Sequence, residues 1–512
     1  MFARVLSAAV LGIEAYVVKV ETHLESGIPH WATVGLPEGA VKESKERVSA
    51  AVKNSGFRFP SKRITVNLAP ADIRKEGSAF DLSIAVGLLA AIGEVDPQQL
   101  EEYILLGELA LDGNLRSIHG ALPIAVEVQK HGFKGIIVPE DNASEAAMAT
   151  GIDVYPVSTL REAVELLNGE SIAQPFTVDI EEVFRQGAEH VLDFSDVKGQ
   201  ELAKRALEIA AAGRHNIIMI GPPGSGKSML AKRLPTVLPK LTLQEALETT
   251  KIHSVAGLLP AGTPLITTRP FRSPHHTISD AGLIGGGQIP RAGEVSLAHF
   301  GVLFLDELTE FKNNVLEVMR QPLEEGSVTL SRAAISLTYP ANFMLASAMN
   351  PCPCGYATDN RQECTCTTPQ IQRYLAKVSG PLLDRIDIHI EVPAVEYKDL
   401  AGNANGESSS VIRTRVEAAR SVQNQRFADH PDVFFNADME QQELREYCAL
   451  DDAGQELLKQ AITKLGLSAR AYDRILKVAR TIADLEDSET IQPAYVAEAI
   501  QYRSLDRNLW SG

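Results

Sequence analysis

Gly221-Pro222-Pro223-Gly224-Ser225-Gly226-Lys227-Ser228 constrains the fold of this chain more than any other segment. It matches G-x-x-x-x-G-K-S, follows the apolar run HNIIMI and opens SMLAKRLPTVL, so it predicts a strand, a phosphate loop and a helix in that order. Small residues let backbone N–H groups converge on phosphates, and the helix N-terminus adds a favourable dipole. In this reading Lys227 reaches the β and γ phosphates and Ser228 ligates magnesium. GVLFLDE at 301–307 supplies the acidic complement. Its apolar residues predict a buried central strand, and Asp306 and Glu307 emerge where strands meet the ligand crevice. Asp306 would hold the hydrated magnesium ion. Glu307 would orient or activate water, which favours hydrolysis over transfer to a protein hydroxyl. A glycine-rich turn or a strand ending in Asp-Glu is unremarkable alone; the two in this order imply an ATPase that uses ATP and Mg2+.

Further candidates surround this pair. Asn350 closes NFMLASAMN and either contacts the γ phosphate or forms a turn before Pro351. Arg385 in SGPLLDRIDIHIEV is either a surface ion pair or an arginine delivered across a subunit interface to neutralise charge during phosphoryl transfer. Arg470 in LSARAYDR is a similar candidate, with Arg474 one turn onward on the same face. Cys352, Cys354, Cys364 and Cys366 form C-x-C-x9-C-x-C, which four thiolates around zinc or local packing would explain. Cys448 is isolated and reads as a core cysteine. RPFRSPHHTISDAGLIGGGQIPR, 269–291, joins basic side chains to permissive glycines, as a loop gripping a phosphate backbone would. His275 and His276 equally suit capping or contacts within the protein, and Arg332 at the tip of a hairpin over 328–337 is a second basic candidate.

A chain of 512 residues exceeds one ordinary core, and 45% hydrophobic residues supply material for two or three. Strand patterns at 63–70 and 103–106, a helix over 80–93, and two strand-to-helix units beginning GIIVPEDNASEAA and IDVYPVSTLREAVELL predict a layered α/β first domain. The acidic, proline-containing stretch 166–190 reads as a connector. A helix near 200–211 leads into the phosphate-loop strand, and AGNANGESSS breaks the pattern before helices over 454–465, 469–484 and 492–502. Asp plus Glu number 66 against 49 Lys plus Arg, a net charge of −17, which argues against a basic coat for nucleic acid but not against a local basic channel. The N-terminal apolar run is interrupted at Glu14, and no stretch is long enough to span a bilayer. Five cysteines with four crowded together do not make a disulfide framework, so the expectation is a soluble cytoplasmic protein without membrane partners.

The ordered set GPPGSGKS, GVLFLDE, AMNPCPCG, SGPLLDRID and LSARAYDR resembles the magnesium-chelatase-like AAA+ ATPases, ComM subfamily. The likeness extends through RKEGSAFDLSIAVGLL and GELALDGNLRSIHG. It implies a Lon-protease-like (ribosomal S5-like) α/β domain over 1–165, a linker over 166–190, and an AAA+ α/β core over 191–400. A flexible loop over 401–412 and a C-terminal helical lid over 413–512 follow. It places Gly221, Gly226, Lys227 and Ser228 in Walker A, Asp306 and Glu307 in Walker B, Asn350 at sensor 1, Arg385 at the arginine finger and Arg470 at sensor 2. It further implies a hexameric, DNA-translocating helicase that promotes branch migration of incoming DNA, acting on branched or single strands through a ring pore, with recombination proteins as partners. It does not imply porphyrin metal insertion. An ATP-gated module remodelling protein partners is the alternative that the acidic composition keeps open. In the Lon-like pattern the proteolytic serine falls on Ala79, with Ser78 displaced by one, and its lysine on Arg116; a guanidinium does not serve as the neutral base.

Overall fold

The computed structural model describes residues 1–75, 77–171, 174–187, 191–287, 290–332, 335–359, 361–395, 406–430, 433–465 and 467–503. Two compact units divide the chain: Met1–Ala188 with Thr242–Thr267, and Glu189–Leu241 with Thr268–Gly512.

In the first unit the N-terminal apolar run becomes a strand. β1 (Phe2–Leu11) pairs antiparallel with β2 (Glu14–Glu25), and β3 (His30–Val34), β4 (Arg63–Ala69), β5 (Tyr103–Leu105), β8 (Gly135–Pro139) and β9 (Asp153–Val157) complete a seven-stranded sheet in the order β3-β4-β2-β1-β5-β8-β9. The short β6 (Glu108–Leu109) and β7 (Leu115–Arg116) form a hairpin around the turn expected at 111–114. The helix Asp81–Ile92 is apolar on every side, and accordingly it is buried on nearly all of its residues. The expected connector holds a helix of its own, Ile180–Gln186, which starts where the Asp179 side chain accepts from the Glu181 and Glu182 amides.

Within the expected 191–400 core, residues 242–267 group with the first unit. Their helix, Leu243–Val255, begins at a Thr242–Glu245 capping box and clusters with the first unit. The reason is polar pairing at long sequence distance. The Ser254 hydroxyl accepts from the Gly120 amide at 2.9 Å and donates to the buried Glu145 carboxylate, which also accepts from the Leu122 amide at 2.9 Å.

The second unit is built on parallel strands. In chain order these are β10 (Ile217–Ile220), β11 (Phe271–Arg272), β12 (Gly285–Gly286), β13 (Arg291–Ala292), β14 (Val302–Leu305), β15 (Ser327–Arg332), β16 (Ile335–Pro340), β17 (Met344–Met349) and β18 (Ile388–Glu391). The central sheet runs β11-β14-β17-β10-β18, all parallel; β12–β13 and β15–β16 are separate antiparallel pairs. Strands β10, β14 and β17 are wholly buried, as their continuous apolar runs require of a sheet covered on both faces. Ile217, Met219, Phe304, Ala346 and Ile388 share one core with Ala206, Leu207 and Ala210 of the helix Glu201–Gly213.

Helices Ser409–Arg426, Gln441–Tyr447, Asp452–Leu465, Ala469–Leu485 and Pro493–Gln501 form the C-terminal region. The loop expected over 401–412 is shorter at its end: a helix already begins at Ser409, whose amide donates to the Asp193 carboxylate at 3.2 Å. Residues 401–405 of that expected loop and the last part of the expected lid, 504–512, lie outside the described residues. Among the described residues no helix is long and apolar enough to cross a membrane.

Candidate nucleotide site and cysteine cluster

Strand β10 ends at Ile220, and the phosphate loop turns from it into the helix Lys227–Val237. Gly226 caps that helix at φ 89°, a left-handed conformation that a side chain would resist. Lys227 is buried, and its ammonium donates to the Gly221 and Pro222 carbonyls at 2.7 and 2.8 Å. Burial pulls its pKa down to about 8, against the opposing pull of Asp306. Phosphate oxygens would give this ammonium the anionic partners that the loop itself lacks.

The acidic strand lies one place beyond β17, and its two carboxylates diverge. The Asp306 carboxylate accepts from the Ser228 hydroxyl at 2.6 Å, so two hard oxygen donors meet at the mouth of the loop, as a magnesium site requires. Glu307 has φ 53° and ψ 49°, and its carboxylate points to His276 at 3.2 Å. Asn350 lies 3.5 Å from the Lys227 ammonium through Oδ1, and it shares a cavity of about 450 Å3 with Glu307 and Tyr374. Lys227, Ser228, Asp306 and Asn350 therefore converge, together with Gly221, Pro222, Pro223, Gly224 and Ser225 of the loop. The residues fit ATP with its magnesium counterion, which supplies charge neutralisation at the phosphates when bound.

One member of the site escaped sequence reasoning. Gln200, left-handed at the start of the helix Glu201–Gly213, donates from Nε2 to the Ser225 carbonyl at 2.5 Å and to the Pro393 carbonyl at 3.3 Å. It braces the phosphate loop from outside the motif. Only the Gly199-Gln200 pair before the helix marks it in the sequence.

Arg385 and Arg470 stand elsewhere. Asn216, just before β10, donates to the Arg385 carbonyl at 2.9 Å, and its amide N–H donates to Asp387 at 3.0 Å. The pair thus sits where β10 and β18 begin, whereas the phosphate loop sits where β10 ends, about 13 Å along four residues of strand. Arg470 donates to Asp384 at 2.9 Å, and Arg474 pairs with the buried Asp387, which it and His215 hold well below the usual carboxylate range despite burial. Arg385 donates to the Pro381 carbonyl at 2.5 Å and pairs with Glu324. Burial, then repulsion from Arg320, Arg470 and Arg474, lowers its pKa. The Nε atoms of Arg385 and Arg474 are buried without a hydrogen-bond partner, beside a cavity of about 460 Å3. Neither Arg470 nor Arg474 thus meets the phosphate loop of its own chain.

The four clustered cysteines are free thiols whose sulfurs lie within 4.8 Å of one another. Cys352 is 3.3 Å from Cys354 and 3.8 Å from Cys364, and Cys354 is 3.6 Å from Cys364. Zinc–sulfur bonds of about 2.3 Å give tetrahedral edges of about 3.8 Å, so the four fit one zinc ion. The Tyr356 amide first, then the neighbouring thiols, draw Cys354 down to about 5, whereas, against the pull of the Cys354 amide, desolvation and its thiol neighbours push Cys366 up to about 12. The cluster abuts the nucleotide site: a Cβ on Gly355 would stand 2.6 Å from Cδ of Pro223.

In the first unit Ser78 donates to Glu108, and Arg116 lies 3.5 Å from the same carboxylate. In the basic segment, Arg269 donates to the Pro239 and Phe300 carbonyls at 2.6 and 2.7 Å, and Arg272 is bidentate to Glu294. Arg291 and Arg332 remain exposed, with Arg332 donating to the Gly287 carbonyl at 3.3 Å.

A five-stranded parallel sheet with a phosphate loop after its first strand and an acid pair after the third defines an AAA+ nucleotide-binding module. Comparison with known families extends this to the whole chain. "Magnesium chelatase, subunit ChlI" matches residues 193–400, "Subunit ChlI of Mg-chelatase" matches 20–142, and "Magnesium chelatase, subunit ChlI C-terminal" matches 406–503. The chain belongs to the magnesium-chelatase-like AAA+ ATPase family and is closely related to its ComM/YifB subfamily. It is 44% identical to Competence protein ComM of Haemophilus influenzae, over 99% of this chain and 98% of that protein. It is also 44% identical to the uncharacterized protein YifB of Escherichia coli, over 98% and 97%. The magnesium-chelatase 67 kDa subunit of Chlorobaculum parvum is 27% identical over 31% of this chain and 24% of that subunit.

Proposed function

We propose that the protein is a cytoplasmic, ATP-hydrolysing hexameric DNA translocase that promotes branch migration during recombination of incoming DNA in natural transformation. The observation that carries the proposal is the division of the site. The phosphate loop, Asp306, Glu307 and Asn350 stand at one end of the parallel strands, while Arg385, Arg470 and Arg474 stand at the other. An arginine group at the opposite end of the strands from its own phosphate loop, with the Arg470 side chain exposed, suits the phosphates of a second copy. A closed ring of identical subunits gives every copy both roles.

DNA as the substrate draws support from the full-length likeness to a competence protein and from two exposed arginines, Arg291 and Arg332, on adjoining segments. In an acidic chain such a local basic lining would confine phosphate contacts to one surface. Ser78 and Arg116 both engage Glu108, and neither supplies a neutral base, so the first unit acts as a structural or substrate-contacting domain rather than a peptidase. Porphyrin metal insertion is not part of this function.

The test is ATP-dependent movement of a synthetic four-way DNA junction by the purified full chain, at several salt concentrations. Junction movement that requires ATP supports the proposal. Failure to bind duplex, forked and four-way DNA at low salt, together with an ATPase that responds to a purified protein partner, replaces it with a protein-remodelling module.

A further inference from the structure

Glu46 and Asp72 are separated by a stretch without an acidic residue, in a chain where Asp plus Glu outnumber Lys plus Arg by 66 to 49. Lys53, Arg58, Lys62 and Arg63 fall in that stretch, interleaved with Phe57 and Phe59. The first unit gathers them at one end of its sheet. β3 and β4 run parallel and start together, with His30 opposite Arg63. β2 ends on the other side of β4, with Glu25 opposite the same arginine. Because β4 lies between β2 and β3, the turn over 26–29 arches past the start of β4, and its Ile28 is 88% exposed.

The cations at this end lack the carboxylate partners that so acidic a chain has in abundance. Among the described residues the side chains of Arg58, Arg63 and His30 are exposed and form no hydrogen bond or ion pair, and Glu25 does not pair with Arg63. Lys62 donates to the Met1 sulfur at 3.4 Å. Lys53 lies over the Phe59 ring, 5.2 Å from its centroid, held by cation–π attraction. Trp31 stacks on the same ring, with centroids 6.5 Å and planes 12° apart. It is half-buried on β3, the last strand of the sheet, so no further strand covers it. Unpaired guanidinium and ammonium groups attract phosphates, and rings beside them take the faces of bases. A duplex keeps those faces inside its own stack, so rings together with cations fit an unpaired strand.

We propose that this end of the first unit's sheet binds single-stranded nucleic acid, with Arg58, Lys62 and Arg63 on the phosphates and a base stacked at Trp31 and Phe59. The proposal deepens the DNA reading above and rests on it.

The chain has two tryptophans, so Trp510→Phe leaves Trp31 as the one reporter in the full-length protein. A single-stranded oligothymidylate should quench its emission without added nucleotide. Replacing Arg58, Lys62 and Arg63 together by Gln should weaken binding and flatten the slope of log K against log salt by about 2, at about 0.7 per phosphate contact. Trp31→Leu in the otherwise native chain should weaken binding of a labelled strand about tenfold and leave the slope unchanged. Lys42→Gln, Lys134→Gln and Lys459→Gln together remove the same charge from exposed lysines elsewhere and should preserve both quenching and slope. Thermal unfolding checks that each variant is folded. The surface is overturned if the oligonucleotide binds without quenching Trp31, or if the Gln triple variant keeps the native slope; the DNA reading then stands. If the native protein binds neither the single strand nor a four-way junction, both fall. Emission that responds to phosphatidylglycerol vesicles and not to the oligonucleotide overturns the surface in favour of a membrane contact.

Discussion

Gly355 offers the sharpest test that the cysteine loop supports the phosphate loop. It has φ 90°, and an added Cβ would lie 2.6 and 2.8 Å from Cδ and Cγ of Pro223. In Gly355→Ala the left-handed backbone costs about 1–2 kcal/mol. The overlap with a proline ring that cannot rotate away costs about 1–3 kcal/mol more. The strain can be relieved only by moving the cysteine loop or the phosphate loop. If about 1.4 kcal/mol of it falls on the ATP-binding conformation, the Kd for ATP rises about tenfold. Binding of a fluorescent ATP analogue measures this, with thermal unfolding and zinc content followed in parallel. Gly380→Ala serves as control, since a Cβ there has no atom within 4 Å. A folded Gly355→Ala protein that binds ATP like the wild type would refute the reasoning.

Two further outcomes follow from the geometry. Protein purified without added metal should carry one zinc per chain by elemental analysis, and Cys352→Ser should lower both zinc content and ATP affinity; zinc-free protein with reactive thiols and unchanged folding would sink the metal reading. Burial, only partly offset by Arg47, pushes the Asp81 carboxyl up from 3.8 to about 6. The folded chain therefore holds that proton to higher pH than the unfolded chain, and the group's contribution falls as pH rises from about 4 to about 6, by about 3 kcal/mol. Denaturant unfolding near pH 4 and near pH 7 should show this slope in the wild type, and Asp81→Asn should remove it.

The nucleotide half of the site was legible because its information is local. Phosphate-loop spacing, the apolar run before Asp306, and Asn350 closing a third strand each sit within a few residues of the chemistry they serve, and parallel strands then bring all three to one edge. Helix starts were legible for the same reason, as with Ser468 accepting from the Ala471 amide before the helix Ala469–Leu485. What escaped depends on distant pairing. Nothing within Leu243–Val255 says that Ser254 will join Gly120 and Glu145, so the grouping of this helix with the first unit was not legible. His276 meets Glu307 through the register of a two-residue strand, too short to leave a periodic signal. That Arg385 pairs with Glu324, at the end of the strands away from the phosphate loop, depends on strand direction and leaves no local signal. The N-terminal apolar run was read for what it excludes, a membrane span, and its continuation past Glu14 into a hairpin strand went unread.

The shared ATP site is the central claim, and mixing two inactive variants tests it most directly. Arg385→Ala retains the phosphate loop, and Lys227→Ala retains the arginine. Each alone should assemble and hydrolyse ATP poorly, the first for want of a donor to the developing phosphate charge and the second for want of bound phosphate. In an equimolar mixture roughly one interface in four joins an intact Lys227 to an intact Arg385. Steady-state ATP hydrolysis by the mixture should therefore clearly exceed that of either variant. A mixture of demonstrably co-assembled subunits that hydrolyses no faster than the average of its two components would contradict the account.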